Sequence, residues 1–311
     1  MIGKTIAENL IKMYNPKSVL FCPYKEEMWD SMKTIYDAFT GHPDIQTEIM
    51  PIAYYTLSNS RITDLKIEFG NLSQNFPMLL SYKWDIIIFH YQYDNLNNVT
   101  RPLVYSNELK AFCKHLVLVP YAVTGGRLPA QSEVMYAGTR NSDLIICETE
   151  EQAEVSNKLL DGQPNWRGLC VGWGSAKYDM VELAPINLEW IDIAKDRKKI
   201  LLQTSITPYL QNRGKLNQIE SIIKKYLKDE KVCLIWRPHP LFRDTIIAHH
   251  REDLKKYDDL VSLVDNSHKD IFDISRHPES AIKFADEMIS DASSLIFLWN
   301  KTGKKLTKLE V

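Results

Sequence analysis

The sequence predicts an α/β protein built as two Rossmann-like domains facing each other across a cleft, and three features of the chain carry that expectation. Short apolar runs alternate with amphipathic or polar stretches along its whole length, the pattern of strands feeding crossover helices. Near residue 190 this rhythm breaks and then starts again. At 311 residues the chain is also longer than one hydrophobic core of ordinary size. The domains expected are therefore 1–190 and 191–311.

Met1 to Met13 has the spacing of an amphipathic helix. Ser18 to Cys22 reads as the first strand, followed by a helix from about Glu26 to Phe39 and a short strand from Thr47 to Ile52. Trp84 to His90 is an apolar run interrupted only by Asp85 before it ends at His90, as expected of a strand buried on both faces. Leu116 to Val119 and Leu144 to Cys147 repeat it, the latter followed by a Glu-rich helix start at Glu148, and a last strand falls at Leu169 to Val171. In the second half the strands expected are Ile200 to Leu202, Val232 to Trp236, Leu260 to Val264 and Met288 to Ser290. Between and after them the expected helices run from Asn217 to Lys228, Arg243 to Tyr257, Glu279 to Asp286 and Ala292 to Trp299. The chain stops at Val311 soon after, so the C-terminal domain is expected to be shortened, or completed by one modest strand from the tail.

Composition excludes several classes. With 44% apolar residues, 25% charged residues and a formal net charge of -2, there is no global basic field for nucleic acid. No apolar run approaches the roughly 20 residues that span a bilayer, and the N-terminus lacks the apolar centre of a signal peptide. A cytoplasmic protein is expected. The five cysteines are odd in number, scattered and never in Cys-x-x-Cys, which fits reduced core thiols. His268 and His277 flank Asp270 and Asp273 without a defensible zinc spacing, and no divalent-metal motif or cofactor is expected.

Two segments carry most of the chemistry. Trp236-Arg237-Pro238-His239-Pro240 closes one apolar run with a cation and an imidazole in a turn stiffened by two prolines. Ile289-Ser290-Asp291-Ala292-Ser293-Ser294-Leu295 closes another and opens an apolar helix, where hydroxyls and unpaired N–H groups favour an anion. Both fall where the carboxyl end of a parallel strand opens onto a crevice, so an anionic ligand is expected there. Plainer uses stand beside each: a rigid exposed turn for the first, and ordinary helix caps for the serines.

In order and strand context these segments resemble the CDP-glycerol glycerophosphotransferase family of teichoic-acid-type polymerases, whose fold is glycosyltransferase-B-like (GT-B-like). Lys198 to Ser205 resembles the strand that opens the family's nucleotide-binding domain, and Val171-Gly172-Trp173-Gly174-Ser175-Ala176-Lys177-Tyr178-Asp179 resembles its Gly-x-Pro-Arg-x-Asp segment, with Ala-Lys in place of Pro-Arg. The resemblance implies transfer of a glycerol-phosphate or other alditol-phosphate group from a CDP-activated donor to a glycan or polyol-phosphate acceptor in bacterial cell-surface polymer synthesis. It places the donor in the C-terminal domain and the acceptor in the N-terminal one. His239 and Arg237 would then neutralise the departing CMP, while Ser293, Ser294, Ser290, Asp291, Thr204 and Ser205 would surround the diphosphate.

The N-terminal half departs from the family. Its Trp-His-Gly-Thr loop, which carries the proposed base, is replaced by Val119-Pro120-Tyr121-Ala122-Val123-Thr124-Gly125-Gly126. His90, leaving the most apolar strand, is the base expected instead, with Asp94 next and Tyr121 and Gly172 as further acceptor-side candidates; as a strand-end histidine, His90 equally suits a structural hydrogen-bonding role. Two alternatives remain: a GT-B-type enzyme using a nucleotide-sugar donor, and a non-catalytic homologue that binds a nucleotide or glycan. Peripheral contact with the inner face of the membrane and homo-oligomer formation complete the expected partners.

Overall fold

The computed structural model describes residues 1–58, 61–69, 82–97, 100–164, 166–275, 277–291 and 293–309. The chain divides into two units, Met1–Met180 and Val181–Val311. This division precedes residue 190 because the intervening segment is tied to the second unit: Lys283 Nζ donates to the carbonyls of Glu182 (2.6 Å) and Ala184 (2.8 Å).

In the first unit a parallel sheet of six strands runs in the order β2-β1-β5-β7-β8-β9, with β1 at Ser18–Cys22, β2 at Gln46–Ile49, β5 at Trp84–Phe89, β7 at Cys113–Leu118, β8 at Leu144–Ile146 and β9 at Leu169–Val171. Its strands obey the period of two. Leu20, Cys22, Ile87 and Phe89 face one buried cluster, while Val19, Phe21, Ile86 and Ile88 face the other. Burial on both faces is why these strands are continuous apolar runs rather than alternating ones. The chain leaves β1 to one side and returns to β5 on the other, which creates a switch point at their carboxyl ends.

Helix Ile2–Tyr14 buries Ile6, Ala7 and Leu10 and ends in a left-handed Asn15. Its amino end is closed from far along the chain, because the Asp179 carboxylate accepts from the Ile2 N–H at 2.8 Å, the Gly3 N–H at 2.7 Å and the Thr34 hydroxyl at 2.8 Å. This is the acidic residue of the segment that resembles Gly-x-Pro-Arg-x-Asp, and here it is a helix cap.

A three-stranded antiparallel sheet, β4-β3-β6, was not expected from the sequence. It comprises β3 (Tyr54–Ser58), β4 (Arg61–Lys66) and β6 (Thr100–Pro102). Every residue of β4 is exposed, so it carries no apolar alternation to announce it.

The second unit contains a parallel sheet in the order β12-β11-β10-β13-β14, made of β10 (Lys198–Thr204), β11 (Val232–Pro238), β12 (Ile271–Phe272), β13 (Glu287–Ser290) and β14 (Lys305–Lys308). Strand β14 pairs with β13 from Glu287↔Lys305 to Ser290↔Lys308, so the polar tail does add a strand. The strand expected at Leu260 to Val264 is instead part of helix Leu254–Asp265. Tyr257, Leu260 and Val264 are its buried residues, a stripe at helical spacing that a short apolar window misreads as a strand. The helix expected from Arg243 to Tyr257 correspondingly splits, with its first part at Phe242–His249. The last helix spans Leu295–Asn300, later than expected, and the Ala292 that was to open it lies outside the described residues. Together these elements make a mixed α/β fold of two Rossmann-like parallel sheets.

Candidate functional site

In the second unit the chain leaves β10 toward β11 and β12 and later returns to β13 on the other side, so the switch point lies at the carboxyl ends of β10 and β13. The registers Gln203↔Arg237 and Gln203↔Ser290 bring the three strand ends together. Two hydrogen bonds then lock the turns that follow. The His239 N–H donates to Thr204 O at 2.8 Å, and the Ser205 N–H donates to Asp291 Oδ2 at 2.8 Å.

His239 is half-buried, and its Nδ1 accepts the Leu241 N–H at 3.2 Å. An acceptor at Nδ1 puts the proton of the neutral ring on Nε2. Burial and the neighbouring Arg237 charge lower its pKa below the usual histidine value, which keeps the ring neutral near pH 7. His239 therefore presents an N–H donor at the strand ends.

Arg237 is engaged differently from the phosphate contact expected of it. Only 4% exposed, it donates from Nη1 to Asp273 Oδ2 (2.5 Å) and the Ser275 hydroxyl (3.0 Å), and from Nη2 to Ser275 O (2.6 Å). The guanidinium is spent on fixing β11 to the segment after β12, and its charge reaches His239 electrostatically. Asp273, which drew no assignment in the sequence, is 2% exposed and belongs to this pair; Asp270 is likewise buried and accepts the Leu234 N–H at 2.7 Å.

Thr204 and Ser290 are fully buried, with Thr204 Oγ1 accepting the Trp236 indole N–H at 3.4 Å and the Ser290 hydroxyl donating to Asp291 O at 3.2 Å. Ser205 precedes helix Ile206–Gln211 without a side-chain cap bond. Asp291 joins β13 to Ser205 rather than capping the following helix. Ser293 Oγ accepts the Leu295 N–H at 3.2 Å, and Ser294 is exposed with no cap bond of its own. Two buried acceptors here lack a donor: Gln203 Oε1 and Asp291 Oδ1. Such orphans cost about 1–3 kcal/mol each, and the buried hydroxyls of Tyr24 and Tyr91 in the first unit are others. Gln203 is the residue the sequence reading passed over; its signal is a polar side chain inside an apolar strand, in register with both motif strands.

The first unit holds its candidates otherwise. His90 is fully buried, and Nε2 accepts the Tyr24 N–H at 2.8 Å while Nδ1 lies 3.1 Å from Met28 O and 3.2 Å from Ser31 Oγ. With both nitrogens engaged and burial lowering its pKa to about 3, it is placed as a structural hydrogen-bonder rather than facing an acceptor. Asp94 has a left-handed backbone (φ 47°) and accepts from the Ser106 N–H (3.1 Å) and hydroxyl (2.6 Å), closing the amino end of helix Ser106–Ala111. Tyr121 is half-buried, with burial raising its pKa. Gly172 is required for close approach: a Cβ there would lie 2.2 Å from Glu150 N. Among the described residues no group of three or more His, Cys, Asp or Glu side chains can hold a metal ion.

No family model matches the chain, and none of the curated proteins resembles it. Solved structures do. A UDP co-structure of MnaA from S. aureus overlays with a TM-score of 0.59 at 11% identity, over 95% of this chain and 79% of that one. The UDP-GlcNAc 2-epimerase of Methanocaldococcus jannaschii gives 0.59 at 14%, over 94% and 83%. The wall teichoic acid polymerase TagF gives 0.52 at 14%, over 98% and 73%. At these identities the likeness is one of fold, and it identifies the chain as a GT-B-like α/β protein.

Proposed function

We propose that the chain is a transferase that moves a glycerol-phosphate or similar alditol-phosphate group from a CDP-activated donor to a glycan or polyol-phosphate acceptor. The observation that carries this reading is the convergence at the ends of β10, β11 and β13, where a neutral His239 N–H meets the Ser293–Ser294 turn; the orphaned acceptors Gln203 Oε1 and Asp291 Oδ1 suit the hydroxyl groups of a ribose rather than the diphosphate. The order of the two motifs and the fold shared with a teichoic acid polymerase support it. In the step proposed, an acceptor oxygen attacks the β-phosphorus and the bond to the CMP oxygen breaks. The hydroxyl proton passes to a base or water, and CMP leaves with the electron pair. His239 donates a hydrogen bond to the diphosphate, a contact that strengthens as charge builds on the leaving group. Arg237 holds β11 to the segment after β12, lowers the pKa of His239 through space, and touches no phosphate. His90 takes no proton in this scheme.

A second reading, an enzyme acting on a UDP-sugar, is favoured by the higher structural overlap with solved UDP-GlcNAc 2-epimerases, at TM-scores of 0.59 and 0.57 against 0.52 for the polymerase. Incubating the whole chain with CDP-glycerol, and separately with UDP-N-acetylglucosamine, each with and without glycan acceptors, separates the two. The transferase reading expects acceptor-dependent CMP release from the first. Turnover of the UDP-sugar alone would replace it with the second.

A further inference from the structure

The first unit contains a cavity of about 250 Å³ that none of the expected site residues lines. It lies at the carboxyl ends of β7 and β8, where α/β sheets place ligands. Its volume is below the 300–1,000 Å³ common for drug-sized ligands, so it suits one small unit rather than a nucleotide.

Its chemistry is one-sided. The Glu148 carboxylate lines it, with Oε1 accepting from both the Thr124 N–H and the Thr124 hydroxyl and Oε2 accepting from the Tyr178 hydroxyl at 2.7 Å. A carboxylate has about four lone-pair positions, so one on Oε2 remains for an incoming donor. Gln152 fixes this arrangement. Its Nε2 donates to Thr124 Oγ1 and Arg127 O, both at 2.7 Å, and its Oε1 accepts the Glu148 N–H at 3.1 Å. Tyr93 and Tyr136, edge to face at 4.7 Å, supply aromatic wall.

An anion is poorly served here. Among the described residues the lining cation is Arg127, which is held in a two-pronged pair by Glu133, at 2.7 and 3.2 Å. Glu148 itself repels a phosphate. The nearby amino end of helix Glu150–Leu160 is already capped by Thr149 and carries Glu150 and Glu151 in its first turn. What remains is a carboxylate that takes hydroxyl protons, beside ring faces that pack against C–H groups.

We propose that this cavity binds an uncharged, hydroxyl-bearing unit, a polyol or sugar residue without phosphate, with Glu148 as the hydroxyl acceptor and Tyr136 as the packing wall. That this unit is the group receiving the transfer rests on the reading above; its binding does not.

Saturation-transfer NMR on the full native chain tests it, with N-acetylglucosamine and glycerol as neutral probes and glucose 6-phosphate and glycerol 3-phosphate as their charged counterparts. The neutral probes are expected to receive saturation and the phosphorylated ones to receive less. Glu148→Gln should weaken the neutral contact about tenfold or more by losing a charge-assisted bond. Should that variant misfold, Tyr136→Ala is expected to weaken it about threefold to tenfold. Cys147 lines the same cavity and is half-buried, whereas Cys22, Cys113, Cys170 and Cys233 are buried. Slower alkylation of Cys147 with bound sugar would therefore locate the contact. No saturation of either neutral probe, stronger saturation of the phosphorylated ones, or unchanged binding in a folded variant overturns the proposal. Sugar binding without CMP release would leave it standing while the transferase reading falls, and CMP release without sugar binding would do the reverse.

Discussion

The two switch points treat their histidines in opposite ways. At the ends of β1 and β5 in the first unit, His90 has partners on both ring nitrogens and the nearby Asp94 is spent on a helix end. At the ends of β10 and β13 in the second unit, among the described residues, Gln203 Oε1 and Asp291 Oδ1 are buried without donors, and the His239 bond uses Nδ1 alone. Orphaned groups occur at both, since the buried hydroxyls of Tyr24 and Tyr91 follow β1 and β5; the difference lies in the imidazoles, one closed on both nitrogens and fully buried, the other half-buried with a donor to spare. Substitution of His90 should therefore cost stability, and substitution of His239 should cost affinity.

The largest expected effect tests whether Arg237 belongs with the structural residues despite lying beside the open site. Asp273→Ala leaves a buried guanidinium unpaired and should cost the second unit about 3–5 kcal/mol, read by chemical denaturation. A cost below about 1 kcal/mol would return Arg237 to the group available for phosphate.

Asp179→Ala is next. It removes a buried acceptor of three hydrogen bonds at the start of helix Ile2–Tyr14 and should cost the first unit about 2–3 kcal/mol by the same measurement. An unchanged unfolding midpoint would mean the cap contributes nothing.

His90 predicts a pH effect whose sign follows from its lowered pKa of about 3. Below about pH 6.5 the unfolded chain protonates this ring while the folded chain does not, so stability falls as pH falls across that window, by about 1.4 kcal/mol per pH unit from this group. His90→Gln should flatten the slope between pH 6 and pH 4 by about that amount, and an unaltered slope would show the ring is not held neutral.

The smallest effect has the opposite sign. Gln203→Leu removes an orphaned acceptor and should leave the unliganded protein unchanged or stabilised by up to about 1 kcal/mol, while weakening nucleotide binding. A loss of stability without a loss of binding would erase the contrast between the two regions.

How much of this the sequence disclosed follows from what local pattern encodes. Most of the parallel strands were legible because burial on both faces writes them as apolar runs such as Ile86 to Phe89; the two-residue β12 was not, and β14 is polar. Strand β4 was not, because all of its side chains are exposed, and Leu260 to Val264 misled because a short apolar window suits either a strand or one helix face. The residue types of the candidate site were legible in the two motifs, but their partners were not. Asp273 satisfying Arg237, Met28 and Ser31 closing around His90, and Asp179 capping a helix at the other end of the unit are long-range contacts that leave no periodic trace. Gln203 had a local signal, a polar side chain within an apolar strand, but its register with both motif strands and its unpartnered Oε1 appear only in the fold.

The central claim is that the strand ends of the second unit bind a CDP-linked diphosphate through His239. Calorimetric titration of the whole chain with CDP-glycerol, for the native protein and His239→Ala, tests it most directly. The account predicts saturable binding that weakens by about 1–3 kcal/mol in the variant, with its unfolding midpoint unchanged. Equal affinity in the two folded proteins, or no binding to either, would contradict it.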